Sequence, residues 1–195
     1  FYAYETLIQP FLCEPAVYEQ TAGIRRKYLT DVGPRHLESL RGGVSRWAWE
    51  SKIEETDPPT GLDANEWVFC RITRTVKPSQ RYSLDGRIYV LTDRDTGSAA
   101  ETYTDAIKRT GLSTIVGQRT AGALGGYLMA DTVRLPASGM FFRLEADIDV
   151  NPDGSFQELV GAKPDIGLPP CELPERTTKD ELLKDAWVRK VMDEL

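Results

Sequence analysis

The sequence predicts an α/β fold, a mixed sheet with flanking helices. Three observations predict it. Residues 87–117 read as strand, helix, strand. Residues 66–76 alternate from Val68 onward and are β-branched or aromatic, as a strand with one wet face should be. Residues 178–191 read as a capped amphipathic helix that closes the chain.

Composition narrows the function classes first. The chain has 195 residues, 41% hydrophobic and 28% charged, which excludes a disordered or collagen-like polymer and suffices for a core. Its 24 Lys+Arg stand against 30 Asp+Glu, net −6, a balance that argues against nucleic-acid binding. Charge interrupts every apolar stretch well short of the roughly 20 residues that span a bilayer, so no transmembrane helix is predicted. Cys13, Cys70 and Cys171 are far apart and lack CxxC spacing, so neither a zinc site nor a disulfide framework can be read from them. With one His, a His-rich metal site is excluded, and no cofactor is implied. The first residue is Phe1, with no basic and apolar leader behind it. This suggests a processed chain or a piece of a longer protein.

In order along the chain, residues 2–18 carry Tyr4, Leu7, Ile8, Phe11 and Leu12 at helical period, with Pro10 placed to kink or end the helix. From Gln20 to Asn65 the composition turns polar, punctuated by Gly42-Gly43, Asp57-Pro58-Pro59 and Gly61. Residues 20–65 therefore read as a surface insertion of low contact density, with a short amphipathic piece at 44–53 carrying Trp47 and Trp49. After the strand at 66–76, a polar loop leads to a short apolar run at 87–93, a buried strand. At 98–109 the period becomes helical: Ala99, Tyr103, Ala106 and Ile107 share a face, and Gly111 sits where a C′ glycine belongs. Residues 112–117 form a second buried strand, whose crossover from the first should be parallel. Gly117, Gly122, Gly125 and Gly126 follow, then expected strands at 127–135, 140–150 and 156–160, with a turn at 151–154. Thr178 and Glu181 have capping-box spacing, and Leu182, Leu183, Ala186, Trp187 and Val191 line one face of the closing helix.

The chemistry centres on Gly97-Ser98-Ala99-Ala100-Glu101, between strand and helix. A serine there is ordinarily an N-cap. A hydroxyl presented at a helix start can instead attack a carbonyl, while the Ala99 N–H faces the oxyanion that forms. The small Ala99 and Ala100 leave room for a substrate backbone.

The string YSLDGRIYVLTDRDTGSAAETYTDAIKRTGLSTIVGQRTAG, followed some way on by GAKPDIGLP, resembles the C-terminal-processing and tricorn-core serine peptidases. The resemblance covers about residues 82–170, with a weaker match at 1–15. It implies a crotonase-like α/β catalytic domain, Ser98 as nucleophile and Ala99 N–H as half of an oxyanion hole. The Ser–Lys branch carries its general base in a TxGKG-like string. Here that string is Thr120-Ala121-Gly122-Ala123-Leu124-Gly125-Gly126, with no Lys. The tricorn-like branch uses a His oriented by a Glu three residues before the Gly of a "GVxPD" strand, and Glu158 stands three before Gly161. That branch places its His ahead of a "DxRGNxGG" turn, which supplies the second oxyanion N–H. Neither feature occurs in these residues, and His36 lies in the polar insertion, where it reads as a surface His.

The expectation is therefore the C-terminal part of a serine peptidase catalytic domain, residues 1–195. Its base and second oxyanion donor would come from an upstream segment or another chain. The resemblance further implies a peptide or protein substrate, upstream domains or a homo-oligomer as partners, and a secreted or periplasmic location. The alternative is a non-catalytic hydrophobic-ligand-binding or scaffold module, as in the interphotoreceptor retinoid-binding protein modules of the same superfamily, with Trp47 and Trp49 lining a groove.

Overall fold

A computed structural model describes residues 3–32, 50–80, 83–123, 131–145, 147–170 and 178–193. Helix α1 (Ala3–Ile8) runs into a turn of 3₁₀ helix, Gln9–Phe11, and stops there. Pro10 ends it, and the expected helix does not reach Tyr18. Residues Ala16–Arg25 instead form strand β1. Strand β1 is inner, not part of a loose insertion. It pairs antiparallel with β3 (Trp67–Val76) on one side, from Ala16 opposite Val76 to Arg25 opposite Trp67, and with β8 (Asp147–Asp149) on the other. Strand β2 (Glu50–Thr56) adds the far edge, giving the order β2-β3-β1-β8. Its sequence, ESKIEET, places charge along an open edge, which discourages pairing with another chain. Helix α2 (Arg26–Val32) follows β1 directly. His36, Trp47 and Trp49 lie outside the described residues.

The second sheet is parallel. Strand β4 (Ile88–Thr92) pairs with β5 (Ser113–Gly117), and β5 with β9 (Ile166–Gly167). Helix α3 (Ala99–Arg109) makes the crossover, and Gly111 follows its C-cap with φ +71, as the sequence predicts. The core lies where α1 and α3 meet both sheets. Ile8, Leu12, Tyr18, Val76, Ala106, Ile107 and Ile115 are buried together there, with Ile88, Val90 and Tyr103 packed against them. Shortening a fully buried Ile such as Ile107 or Ile115 to Ala would cost about 2–5 kcal/mol.

Residues 140–150, expected as one strand, divide between two sheets. Strand β7 (Phe141–Leu144) forms a separate hairpin with β6 (Asp131–Arg134), and β8 crosses to β1. Residues 156–160 are not a strand either. Phe156 makes a single bridge to Val150, then α4 (Gln157–Val160) turns and ends at Gly161, φ +63. The closing helix is two pieces, α5 (Lys179–Leu182) and α6 (Ala186–Asp193). Thr178 and Glu181 complete the predicted capping box, but Leu182 and Leu183 are exposed and Trp187 is the residue that packs. Asp185 separates the two helices because its carboxylate accepts from Trp187 N–H at 2.8 Å and Val188 N–H at 3.0 Å, starting a new one. Among the described residues no helix is long and apolar enough to cross a membrane. Cys13 is exposed and Cys70 buried, while Cys171 lies outside the described residues.

Candidate active site

The site is assembled at the C-terminal ends of β4 and β5, where ligands bind in parallel sheets of this kind. Beyond the strands the two chains stay joined. Gln118 N–H donates to Thr92 C=O at 2.8 Å, Thr92 Oγ1 donates to Gln118 C=O at 2.8 Å, and Ala121 N–H donates to Thr96 C=O at 2.8 Å. The Asp93–Thr96 turn between them is self-bonded: Asp93 N–H donates to Thr96 Oγ1 at 3.1 Å, and that hydroxyl donates to Asp93 Oδ1 at 3.0 Å. The pairing ends in a parallel bridge between Gly97 and Gly122, which sets Ser98 at the rim.

Ser98 has φ 55 and ψ −122, a conformation that L-residues other than glycine rarely adopt. It occupies the N-cap of α3, yet its hydroxyl makes no cap hydrogen bond and the residue is exposed. The strained, outward-facing serine at a strand-to-helix turn is the geometry of an elbow that presents a nucleophile. Ala99 N–H is the first amide of α3 and has no partner inside the helix, so it is available to an oxyanion beside the hydroxyl.

Glu158, placed on a strand by the sequence, lies instead in the first turn of α4 and is half-buried. Its backbone is joined to the serine turn through one glycine. Glu158 C=O accepts from Ala123 N–H at 3.0 Å, and a Cβ on Gly122 would stand 2.4 Å from that carbonyl oxygen. Gly122 (φ +75) bridges Gly97, so Ser98 and Glu158 flank one Gly97–Gly122 seam. Ala123, where a Ser–Lys enzyme would hold its base, has φ 52 and a side chain too short to act as one. Leu124, Gly125 and Gly126 lie outside the described residues.

Three further residues organise the site. Glu101 is fully buried one turn into α3. Its Oε1 accepts from Gln157 Nε2 at 2.8 Å and from Ala162 N–H at 3.0 Å, and the Thr120 hydroxyl also favours its charged form. Burial pushes its carboxyl above the usual glutamate range, against the hydrogen bonds it accepts. Thr120 Oγ1 accepts from Ala162 N–H at 2.6 Å, and Thr120 N–H donates to Ala162 C=O at 3.1 Å. Asp165, in the PDI run, is a structural clip: Oδ2 accepts from Ile115 N–H at 2.9 Å and Oδ1 from Lys108 Nζ at 3.0 Å. Partial burial opposes its charge, but the Ile115 amide and the Lys108 ammonium hold the carboxyl below its usual range. The signal for Glu101 in the sequence was its place three residues after the serine. Nothing in the sequence paired it with Gln157.

Among the described residues no cluster of three or more His, Cys, Asp or Glu could hold a metal ion. The profile of peptidase family S41 matches residues 22–168, most of the chain, so the chain belongs to that family. Among solved structures it is similar to mature CPAF complexed with lactacystin, at 20% identity and TM-score 0.52, over 85% of this chain and 36% of that one. A CPAF mutant gives TM-score 0.53 at 20% identity, over 87% and 36%. The photosystem II D1 C-terminal processing protease aligns at 22% identity and TM-score 0.42, over 74% and 34%. At these identities the CPAF likeness speaks to the fold. The chain spans little more than a third of the CPAF chains it matches.

Proposed function

We propose that this chain is the C-terminal part of a crotonase-like peptidase domain that hydrolyses peptide bonds through an acyl-enzyme on Ser98. The observation that carries the reading is the Ser98 turn: a left-handed, exposed serine with an unused cap position at the start of α3. Ser98 Oγ attacks the scissile carbonyl carbon and passes its proton to an imidazole. The oxyanion that forms takes a hydrogen bond from Ala99 N–H. Collapse expels the amine with that proton, and water then releases the acyl group by the same steps in reverse. Glu158 orients the imidazole and favours its protonated form. The His and the second oxyanion N–H come from a segment upstream of this chain, and His36 is not the base. The substrate is a peptide or an unfolded protein tail, the partners are upstream domains or a second copy, and the location is secreted or periplasmic.

A fluorophosphonate tests the reading, since it phosphonylates only an activated serine, with loss of fluoride. The full-length protein is expected to be labelled at Ser98, the 195-residue chain alone slowly or not at all. Unlabelled full-length protein would favour a binding or scaffold module instead. Rapid labelling of the isolated chain, lost on His36→Ala, would place the base in residues 20–65.

A further inference from the structure

A continuous polar network runs through the base of the site. Gln20 Nε2 donates to Asp105 Oδ2 at 3.1 Å, and Arg109 Nε donates to the same oxygen at 2.7 Å. Arg109 Nη2 reaches Asn151 Oδ1 at 3.4 Å. Asn151 Nδ2 donates to Gln157 Oε1 at 3.0 Å, and Gln157 Nε2 to Glu101 Oε1 at 2.8 Å. Gln157 is buried, so both ends of its amide are specified and its orientation is set by its neighbours. The network ends on Glu101, and there it does something the rest does not. One carboxylate oxygen holds residues on both sides of Glu158: the Gln157 side chain before it and the Ala162 amide after it.

A buried carboxylate is a costly way to fill a core position. An apolar side chain of similar volume packs as well without desolvating a charge. A fully buried carboxyl kept at that cost is explained by what it holds, and here its Oε1 takes two donors at once. Ser98 and Glu101 are on the same helical turn, so whatever Glu101 holds is held in register with Ser98.

We infer that Glu101 is a positioning residue that, through Gln157 and the Ala162 amide, fixes the turn carrying Glu158 relative to Ser98. The inference rests on the assignment of Ser98 and Glu158 made above. Glu101 itself touches no substrate. Its partner Gln157 must present an N–H toward α3 and an oxygen toward Asn151, which a carboxylate at 157 cannot do opposite a second carboxylate.

The test is a polarity swap in the full-length protein, read by fluorophosphonate modification with its first-order rate separated from its half-saturating concentration. Ser98→Ala comes first: if that variant is labelled as wild type is, the Ser98 reading fails, and the inference with it. If labelling is confined to Ser98, Gln157→Glu is expected to slow the first-order rate about tenfold or more with little change in half-saturation. Adding Glu101→Gln should recover part of that loss, because amide then faces carboxylate again, although the amide nitrogen cannot also accept from Ala162 N–H as the Glu101 oxygen does. Glu101→Ala should be as slow as Gln157→Glu. Should Glu101→Ala fail to fold, the swap still decides. Wild-type rates in the single variants, a double variant no faster than Gln157→Glu although it melts as wild type does, or a loss that merely tracks the unfolded fraction would each overturn the inference and leave the Ser98 reading standing.

Discussion

Ser98 and Glu101 stand at capping-box spacing and do not form a capping box. Thr178 and Glu181, with the same spacing, do: Thr178 N–H donates to Glu181 Oε2 at 2.7 Å, and Glu181 N–H to Thr178 Oγ1 at 3.3 Å. In α3 the serine hydroxyl caps nothing, and the glutamate turns inward to Gln157 and Ala162. The left-handed backbone at Ser98 separates the two cases. It takes the hydroxyl off the helix end and leaves both partners of the motif for other work.

The strain at Ser98 should be measurable as stability. Ser98→Ala should abolish turnover and leave the fold nearly as stable, because no cap hydrogen bond is lost. Ser98→Gly should be more stable than Ser98→Ala by about 1 kcal/mol, a rise in Tm of about 2–4 °C for a chain of this size. Thermal melts of the two inactive variants check this, and equal Tm values would count against a strained serine.

Glu158→Gln in the full-length protein should lower kcat by about a hundredfold or more while KM moves little, as for a group that acts on the base in the transition state. Steady-state kinetics on an unfolded protein substrate reads the split. An unchanged kcat across the pH range would make Glu158 a surface residue of the turn.

Gly122→Ala addresses the seam directly. A Cβ there would lie 2.4 Å from Glu158 C=O and 2.9 Å from Gln157 C=O, in a backbone with φ +75. The substitution should cost about 2 kcal/mol or more and slow Ser98 labelling by moving the Glu158 turn. Chemical denaturation and labelling are read together. Wild-type stability would contradict the close approach of α4 to this glycine.

Two carboxyls, the buried Glu101 and the partly exposed Asp165, give opposite pH signatures. Glu101 has its folded-state carboxyl raised, so its contribution is full below the ordinary glutamate range and is lost as pH rises through the raised value. Glu101→Gln should therefore gain stability relative to wild type as pH increases from acid to neutral, seen in paired unfolding curves.

Asp165 has its carboxyl lowered by Ile115 N–H and Lys108, against burial. Its contribution is present above the ordinary aspartate range and lost as pH falls through the lowered value. Asp165→Asn should cost about 1 kcal/mol at neutral pH, since both partners are partly exposed, and the difference should vanish in acid. A pH-independent difference would point to packing instead.

Much of this was legible from local pattern. The strand at Trp67–Val76, the β4–α3–β5 unit, the Gly111 stop and the Thr178 cap follow from alternation, period and turn chemistry. Two of the failures share one cause: polar residues satisfied by distant partners. Gln20 reads as surface, yet it is buried in β1 because Asp105 accepts its amide. Gln157 falls in the expected strand at 156–160, yet Glu101 and Asn151 hold it inside a helical turn. Leu182 and Leu183 read as core, but Asp185 starts a new helix whose Trp187 takes that place. For the site, the serine turn was legible because its constraint is local. The Glu101 clamp was not, because its partners lie 56 and 61 residues away.

Gly117 ends β5 with φ +123, and the Trp187 ring lies where its side chain would be. The indole N–H is fixed at 3.0 Å to Pro169 C=O. The Trp187 ring thus covers the end of β5, beneath the strand that leads to the Gly122 seam. A chain cut before Trp187 would keep the serine, its helix and both sheets, but would leave the end of β5 open to water.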